Sequence, residues 1–124
     1  MNIVAIVDVR NNIEGTLEFD FAGKTRKFKL DFNALLSIET TLQKPIMKVA
    51  QEIISGDIGM FNVATILHGG LTCAGGKFTL EAVGNMVQQH GLVNSVAIVS
   101  DLLTKSMGLE VSDDPKEQIE NQEE

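Results

Sequence analysis

The chain has a single cysteine and few aromatic side chains. Its 124 residues include one cysteine, Cys73, and six phenylalanines, but no tryptophan or tyrosine. A single thiol cannot form an intramolecular disulfide, so we expect a reducing, cytoplasmic environment. Tryptophan and tyrosine are enriched at the centres of tight protein interfaces, so the aromatic anchors available to an interface of this chain are limited to its six phenylalanines.

Long hydrophobic runs are also missing. Although 44% of the residues are hydrophobic, no apolar stretch approaches the roughly 20 residues that span a membrane. The apolar start of the chain has no basic segment before it and reaches Asp8 early, which argues against a secretory signal. The sequence therefore predicts no membrane association.

Positive charge is scarce, and the negative charge is concentrated at one end. Of the net charge of −7, residues 109–124 contribute seven acids and one lysine, whereas the rest of the chain has ten acids and nine bases. A nearly neutral body offers no surface that follows phosphates, which argues against nucleic-acid binding. The acidic segment has too few apolar residues to fold. We expect a single globular domain over residues 1–108 and a disordered acidic tail over 109–124.

No group of residues carries recognisable catalytic or metal-binding chemistry. His68 and Cys73 lie five residues apart on a predicted helix, where their side chains would point in different directions, and no acid is close in sequence. Adding His90 still gives too few ligands for a metal site. The glycine-rich segment after Gly70 differs from a phosphate-binding loop because Gly76 stands where lysine is required. We expect no enzymatic activity, no cofactor and no metal.

The first 30 residues have the alternating periodicity of β-strands. Residues 3–10 predict one strand, and residues 17–21 and 26–30 predict a hairpin. A type II′ loop at Gly23-Lys24 fixes its register. The predicted cross-strand pairs are Phe19 with Phe28, Leu17 with Leu30, Asp20 with Lys27 and Glu18 with Lys29. The sequence thus predicts an N-terminal hairpin or small antiparallel sheet.

From residue 31 to residue 108 the periodicity becomes helical and predicts about five packed helices, so the fold class is α+β. Asp31 is the predicted N-cap of the first helix, and Pro45 the first residue of the second, which ends at Gly56. Ile54 is predicted to face inward there. The last helix is predicted from about Leu92, also inward-facing, to Gly108.

The stretch from Asp57 to Gly91 is predicted to organise the fold as two helices that meet at Gly75-Gly76, with Thr79 capping the second. The inward residues predicted for the first of them are Met60, Val63, Ala64, Leu67, Leu71 and Ala74. Gly69-Gly70 lies within this helical pattern. Because the apolar spacing continues to Ala74, we expect a close helix crossing there rather than a hinge.

Methionine supplies the candidate partner-binding residues. The internal methionines fall on or beside inward faces, where they fill a core, but methionine also forms adaptable surfaces for apolar helices. The candidates are Met60, Phe61, Met86 and Met107. Met60 and Phe61 follow Gly59 and are the pair we most expect to face a partner.

The order of short motifs from Glu14 to Met107 resembles a known family. The motifs are Gly23-Lys24, Ala34-Leu35, Ile38-Glu39, Pro45-Ile46, Gly56-Asp57, Ile66-Leu67, Gly70-Leu71, Gly75-Gly76 and Leu80-Glu81-Ala82-Val83-Gly84. This pattern is similar to the tail assembly chaperones of long-tailed phages, of the gene transfer agent type, which are sometimes labelled tail tube components. The first dozen residues are an addition to the family pattern.

The resemblance implies a role in assembly without catalysis. Such chaperones coat the apolar, helical tape measure protein in the host cytoplasm, are displaced when the tail tube polymerises, and are absent from the finished virion. A longer, frameshifted form often recruits tail tube protein. The resemblance therefore implies the tape measure and tail tube proteins as partners, together with self-association.

Two other interpretations stay open at the level of the sequence. One is a structural tail component, such as a tail tube or connector subunit, although tube subunits consist mostly of β-sheet and strand signals stop near Leu30. The other is a small enzyme or a helical DNA-binding regulator. The charge distribution and the lack of a catalytic constellation argue against both of these.

Overall fold

The computed structural model describes residues 15–108 as a hairpin followed by five helices, which confirms the predicted α+β class. The hairpin consists of β1 (Leu17–Phe21) and β2 (Lys24–Phe28). The helices are α1 (Phe32–Leu42), α2 (Ile46–Ser55), α3 (Met60–Cys73), α4 (Leu80–His90) and α5 (Leu92–Ser106). The predicted strand at residues 3–10 and the predicted acidic tail lie outside the described residues.

The predicted helix starts are confirmed. Asp31 Oδ1 accepts a hydrogen bond from the Ala34 N–H at 2.9 Å, and Thr79 Oγ1 accepts one from the Ala82 N–H at 3.0 Å. Each side chain thus satisfies one of the free N–H groups of the first helical turn. Pro45 lies one position earlier than predicted, at the N-cap of α2.

The glycine stop signals after α2 and α3 are also confirmed. Gly56 has φ +82° and Gly75 has φ +102°, a left-handed conformation that a Cβ disfavours. After α3 the Gly76 N–H donates to the Leu71 carbonyl at 2.7 Å, which closes the corner before α4.

Helix α3 is the centre of the structure. It packs against α1, α4, α5 and β2, and five consecutive residues, 63 to 67, are buried. Burial on all sides is characteristic of a central helix. Of the predicted inward residues, Val63, Ala64, Leu67 and Leu71 lie in the core, as expected for the stretch around which the chain is organised.

Some predicted inward positions are wrong. Ile54 is 66% exposed, and Leu92 and Met60 are exposed as well. An amphipathic helix buries three or four positions in two turns, and α5 has more apolar residues than one face can hold. Its contacts with α2 and α3 bury Ile98 and Leu102 instead, which leaves Leu92 in solvent.

The predicted hairpin register is wrong by two residues. The loop is Ala22-Gly23, and the observed pairs are Leu17–Phe28, Glu18–Lys27, Phe19–Arg26, Asp20–Thr25 and Phe21–Lys24. A shift of two residues keeps every side chain on its predicted face. The rings of Phe19 and Phe28, predicted to lie opposite each other, still meet, with centroids 5.7 Å apart.

Hydrogen bonds with Arg26 and with the distant His90 stabilise the shifted loop. Ala22 has φ +53° and Gly23 has φ +93°, the two positive values that a type I′ turn needs. Arg26 donates from Nε to the Phe21 carbonyl at 2.7 Å and from Nη2 to the Ala22 carbonyl at 3.2 Å. The Ala22 N–H donates to Nδ1 of His90, 68 residues away, at 3.2 Å. These bonds stabilise a conformation that alanine alone disfavours.

The two glycines within α3 have different surroundings. A Cβ on Gly70 would lie 3.0 Å from Leu102 Cδ2 and 3.2 Å from Phe28 Cδ2, and the Gly70 carbonyl accepts a hydrogen bond from the Lys29 N–H. A Cβ on Gly69 would only reach ordinary contact with Ile38, at 3.6 Å. The expected close approach therefore exists at Gly70, where it involves the hairpin as well as a helix.

Alanine substitutions of these two glycines should have opposite effects on stability. Gly69→Ala should stabilise the protein by up to about 1 kcal/mol, the difference in helix propensity. Gly70→Ala should destabilise it by about 1–2 kcal/mol, because Phe28 and Leu102 are fully buried and overpacking costs more than the propensity gains. Chemical denaturation of both variants measures the difference, and equal stabilisation by both would contradict the close packing at Gly70.

Candidate functional site

The described surface exposes nine large apolar side chains on a neutral body. They are Phe32, Leu36, Met47, Ile54, Met60, Phe61, Leu80, Leu92 and Val93. Residues 15–108 contain eight acidic residues and eight Lys or Arg residues. Exposed apolar side chains can contact an apolar partner where they adjoin one another, and the balanced charge argues against a surface that follows phosphates.

Met60 and Phe61 form the first turn of α3. Met60 is 43% exposed and Phe61 is 55% exposed, next to Gly59 at the N-cap. No side chain caps this helix end. The first turn of the central helix is therefore apolar and exposed. Met60 and Phe61 are also the pair that the sequence indicates most strongly as a partner contact.

Met86 and Met107 have a different environment. Both are partly buried and pack against the core, Met86 on α4 and Met107 at the C-cap of α5. Only part of each side chain is therefore accessible to a partner. Of the four candidates, Met60 and Phe61 are therefore more accessible than Met86 and Met107.

Sequence reasoning did not single out several of the most exposed apolar residues. Phe32 is 75% exposed and Val93 is 83% exposed. Phe32 and Leu36 are four residues apart and are neighbours on one face of α1. Met47 and Ile54, two turns apart, share a face of α2 in the same way. The sequence does contain a signal for their exposure, because these helices have more apolar residues than one helix face can bury.

A groove runs between α1 and α3. Its two sections have volumes of about 400 and 250 Å³ and share Ser37, His68 and Gly69. The larger section is also lined by Asp31, Asn33, Ala34, Thr72 and Cys73. The smaller section is also lined by Ile38, Thr41, Thr65 and Leu80. Small residues on both helices form this groove, which is lined by more hydroxyl groups than charges.

His68 and Cys73, which were predicted to point in different directions, both line the larger section of this groove. The fold also places an acid there, Asp31, which is distant in sequence. However, Asp31 caps α1, and His68 Nε2 lies 2.8 Å from the Phe78 carbonyl. A carbonyl only accepts, so Nε2 is the donor. Asp31 therefore caps α1, and His68 binds the segment that precedes α4.

His90 has a structural environment as well. Its Nδ1 accepts the Ala22 N–H, and its ring packs edge-on against Phe21 with centroids 5.2 Å apart. The last residue of α4 therefore connects that helix to the hairpin loop.

Within residues 15–108, no three His, Cys, Asp or Glu side chains are grouped so as to hold a metal ion. None of the five described helices has the combination of length and apolarity that crossing a membrane requires.

A family model described as "Phage tail tube protein, GTA-gp10" matches residues 14–108, well over half of the chain. The match spans the hairpin, all five described helices and the groove. No curated protein and no solved structure matches the chain.

Proposed function

Because the chain belongs to the phage tail assembly chaperone family of the GTA-gp10 type, described as tail tube proteins, we propose that it binds the tape measure protein and keeps it soluble. In this proposal it also helps to recruit tail tube subunits. It acts in the host cytoplasm, catalyses no reaction and leaves before the virion is complete.

The exposed apolar side chains are the observation that carries this proposal. They lie on several helices and include Phe32 and Phe61. Burial of apolar surface is worth about 25 cal/mol per Å², so each contributes a modest amount when a partner covers it. Many modest contacts suit a chaperone, because the growing tube can displace them one by one.

We propose Met60 and Phe61 as one contact with the partner, and Phe32 and Leu36 as a second, separate contact, because the start of α1 lies beside the end of α3. Met86 and Met107 contribute through the accessible parts of their side chains. An apolar helix that packs on these residues would be recognised by its own apolar stripe rather than by charge. The same residues are available for self-association when no partner is bound.

A structural tail component is the second candidate, and the words "tail tube protein" in the family description favour it. The two described strands have five residues each. Tube subunits consist mainly of β-sheet, so the helical body supports the chaperone proposal instead.

Co-expression tests the proposal. A helical fragment of the tape measure protein from the same phage is produced alone, with this chain, or with an unrelated helical protein of similar size. The proposal expects the fragment to be soluble, and to co-purify, only with this chain. Equal solubility in all three cultures, without co-purification, would overturn the proposal.

A further inference from the structure

Among residues 15–108, one edge of the hairpin bonds to a helix and the other edge has no partner. At the end of β2, the Lys29 N–H donates to the Gly70 carbonyl of α3 at 3.0 Å. Because the hairpin loop has two residues, the odd-numbered residues of β1 bond to β2, and the backbone groups of Glu18 and Asp20 point away from it. The described sheet has two strands, and no other described backbone group bonds to Glu18 or Asp20.

The core-facing side chains of β1 are incompletely covered. Leu17, Phe19 and Phe21 alternate along this face, and of these three Phe21 is fully buried. Leu17 and Phe19 are half-buried, although both pack against the core. A further strand at the outer edge of β1 would place its own side chains beside these two. It would thereby remove apolar surface from water, which is worth about 25 cal/mol per Å².

The strand predicted at residues 3–10 has the pattern that this edge requires. Its odd-numbered positions are all apolar, whereas its even-numbered positions include Asp8 and Arg10. With the odd-numbered side chains toward the core, these two charged residues share the solvent-facing side with Glu18 and Asp20. The opposite orientation would bury a carboxylate against phenylalanine rings, which is unfavourable. The hydrophobic pattern therefore selects one face of the strand for the core.

The connection to β1 favours pairing within one chain. Gly15, two residues before β1, has φ +85°, a left-handed conformation that is common where a hairpin reverses its direction. Four residues, 11–14, separate the predicted strand from this glycine, which is an ordinary length for a hairpin connection. A short linker keeps its two ends at an effective concentration in the millimolar range. A strand from a second copy of the chain does not have this advantage.

We propose that the outer edge of β1 is a docking site for residues 3–10 of the same chain, which pair with it as a third, antiparallel strand. The backbone groups of Glu18 and Asp20 bond to the added strand, and its apolar side chains cover Leu17 and Phe19. The family match begins at residue 14, so this strand is an addition of this chain to the family body. The inference concerns the free protein and does not rest on the proposed function.

Hydrogen exchange of single backbone amides measures this pairing. The ¹⁵N-labelled full chain is compared with Val7→Asn and with Ile6→Asn, which introduce the same side chain at neighbouring positions on opposite faces of the strand. The Glu18 and Asp20 amides should exchange about ten-fold or more slowly in the wild type than in Val7→Asn, because a buried carboxamide without a partner opposes docking. In Ile6→Asn the new side chain faces solvent, and exchange should stay close to that of the wild type.

The amide of Leu67, in the middle of α3, reports on the fold itself and should exchange equally in all three proteins. Fast exchange at Glu18 and Asp20 in the wild type, protection that survives in Val7→Asn, or equal losses in both variants would overturn the inference. A loss that extends equally to Leu67 would also overturn it, because the whole domain would then be opening. Slower exchange at higher protein concentration would do the same, since it would show that the strand comes from a second copy.

Discussion

Alanine at position 28 should destabilise the protein by about 3–5 kcal/mol, whereas alanine at position 32 should change stability by less than about 0.5 kcal/mol. Phe28 is fully buried, and its ring meets those of Phe19 and Phe21 with centroids 5.7 and 5.9 Å apart. It also lies against Gly70, where the hairpin packs on α3. Phe32 is 75% exposed. The same chemical change thus removes a core contact in one variant and a surface group in the other.

Thermal unfolding followed by circular dichroism measures this difference. Small domains have unfolding free energies of about 5–15 kcal/mol, so Phe28→Ala should lose a large part of the total and its Tm should fall by more than about 10 °C. The Tm of Phe32→Ala should equal that of the wild type. A large loss of stability in Phe32→Ala would show that this residue is buried, and it would remove Phe32 from the proposed partner surface.

Aspartate at both Met60 and Phe61 should reduce capture of the tape measure fragment by at least ten-fold, which corresponds to about 1.4 kcal/mol. Both side chains are exposed in the free protein, and a partner that covers them would have to bury two charges instead of two apolar groups. The fold should be retained. The first turn of α3 contains no acidic residue, and aspartate near a helix N-terminus is favourable.

Two controls separate the loss of apolar contact from the added charge. The double variant Met60→Leu, Phe61→Leu keeps apolar side chains and should retain most of the capture. Asn85→Asp adds charge at an exposed polar position on α4 and should have no effect. Capture by the aspartate variant at the wild-type level, with unchanged thermal stability, would show that the start of α3 does not contact the partner.

The sequence was sufficient to predict the elements of this fold because their ends depend on neighbouring residues. Asp31 and Thr79 bond to N–H groups three residues later, and Gly56 and Gly75 adopt the left-handed conformation at the helix ends. The hairpin register depends in part on a distant residue instead. His90 stabilises the Ala22-Gly23 loop together with the nearby Arg26, and no local pattern contains the contact from His90.

The surface was harder to predict than the core. Apolar periodicity predicted that Val63, Leu67 and Leu71 would be buried. It could not show that Ile54 would be exposed, since that depends on how α2 rotates against its neighbours. Asp31 and Cys73 likewise line the same α1–α3 groove only because tertiary packing brings the two helices together. Candidate sites built from residues close in sequence therefore missed it.

Mass spectrometry of assembly intermediates and of finished particles tests temporary association with the tape measure protein most directly. We expect many copies of this chain in intermediates that contain tape measure protein, and none in particles with completed tails. Stoichiometric copies in completed tails would contradict it and would establish a structural tail subunit.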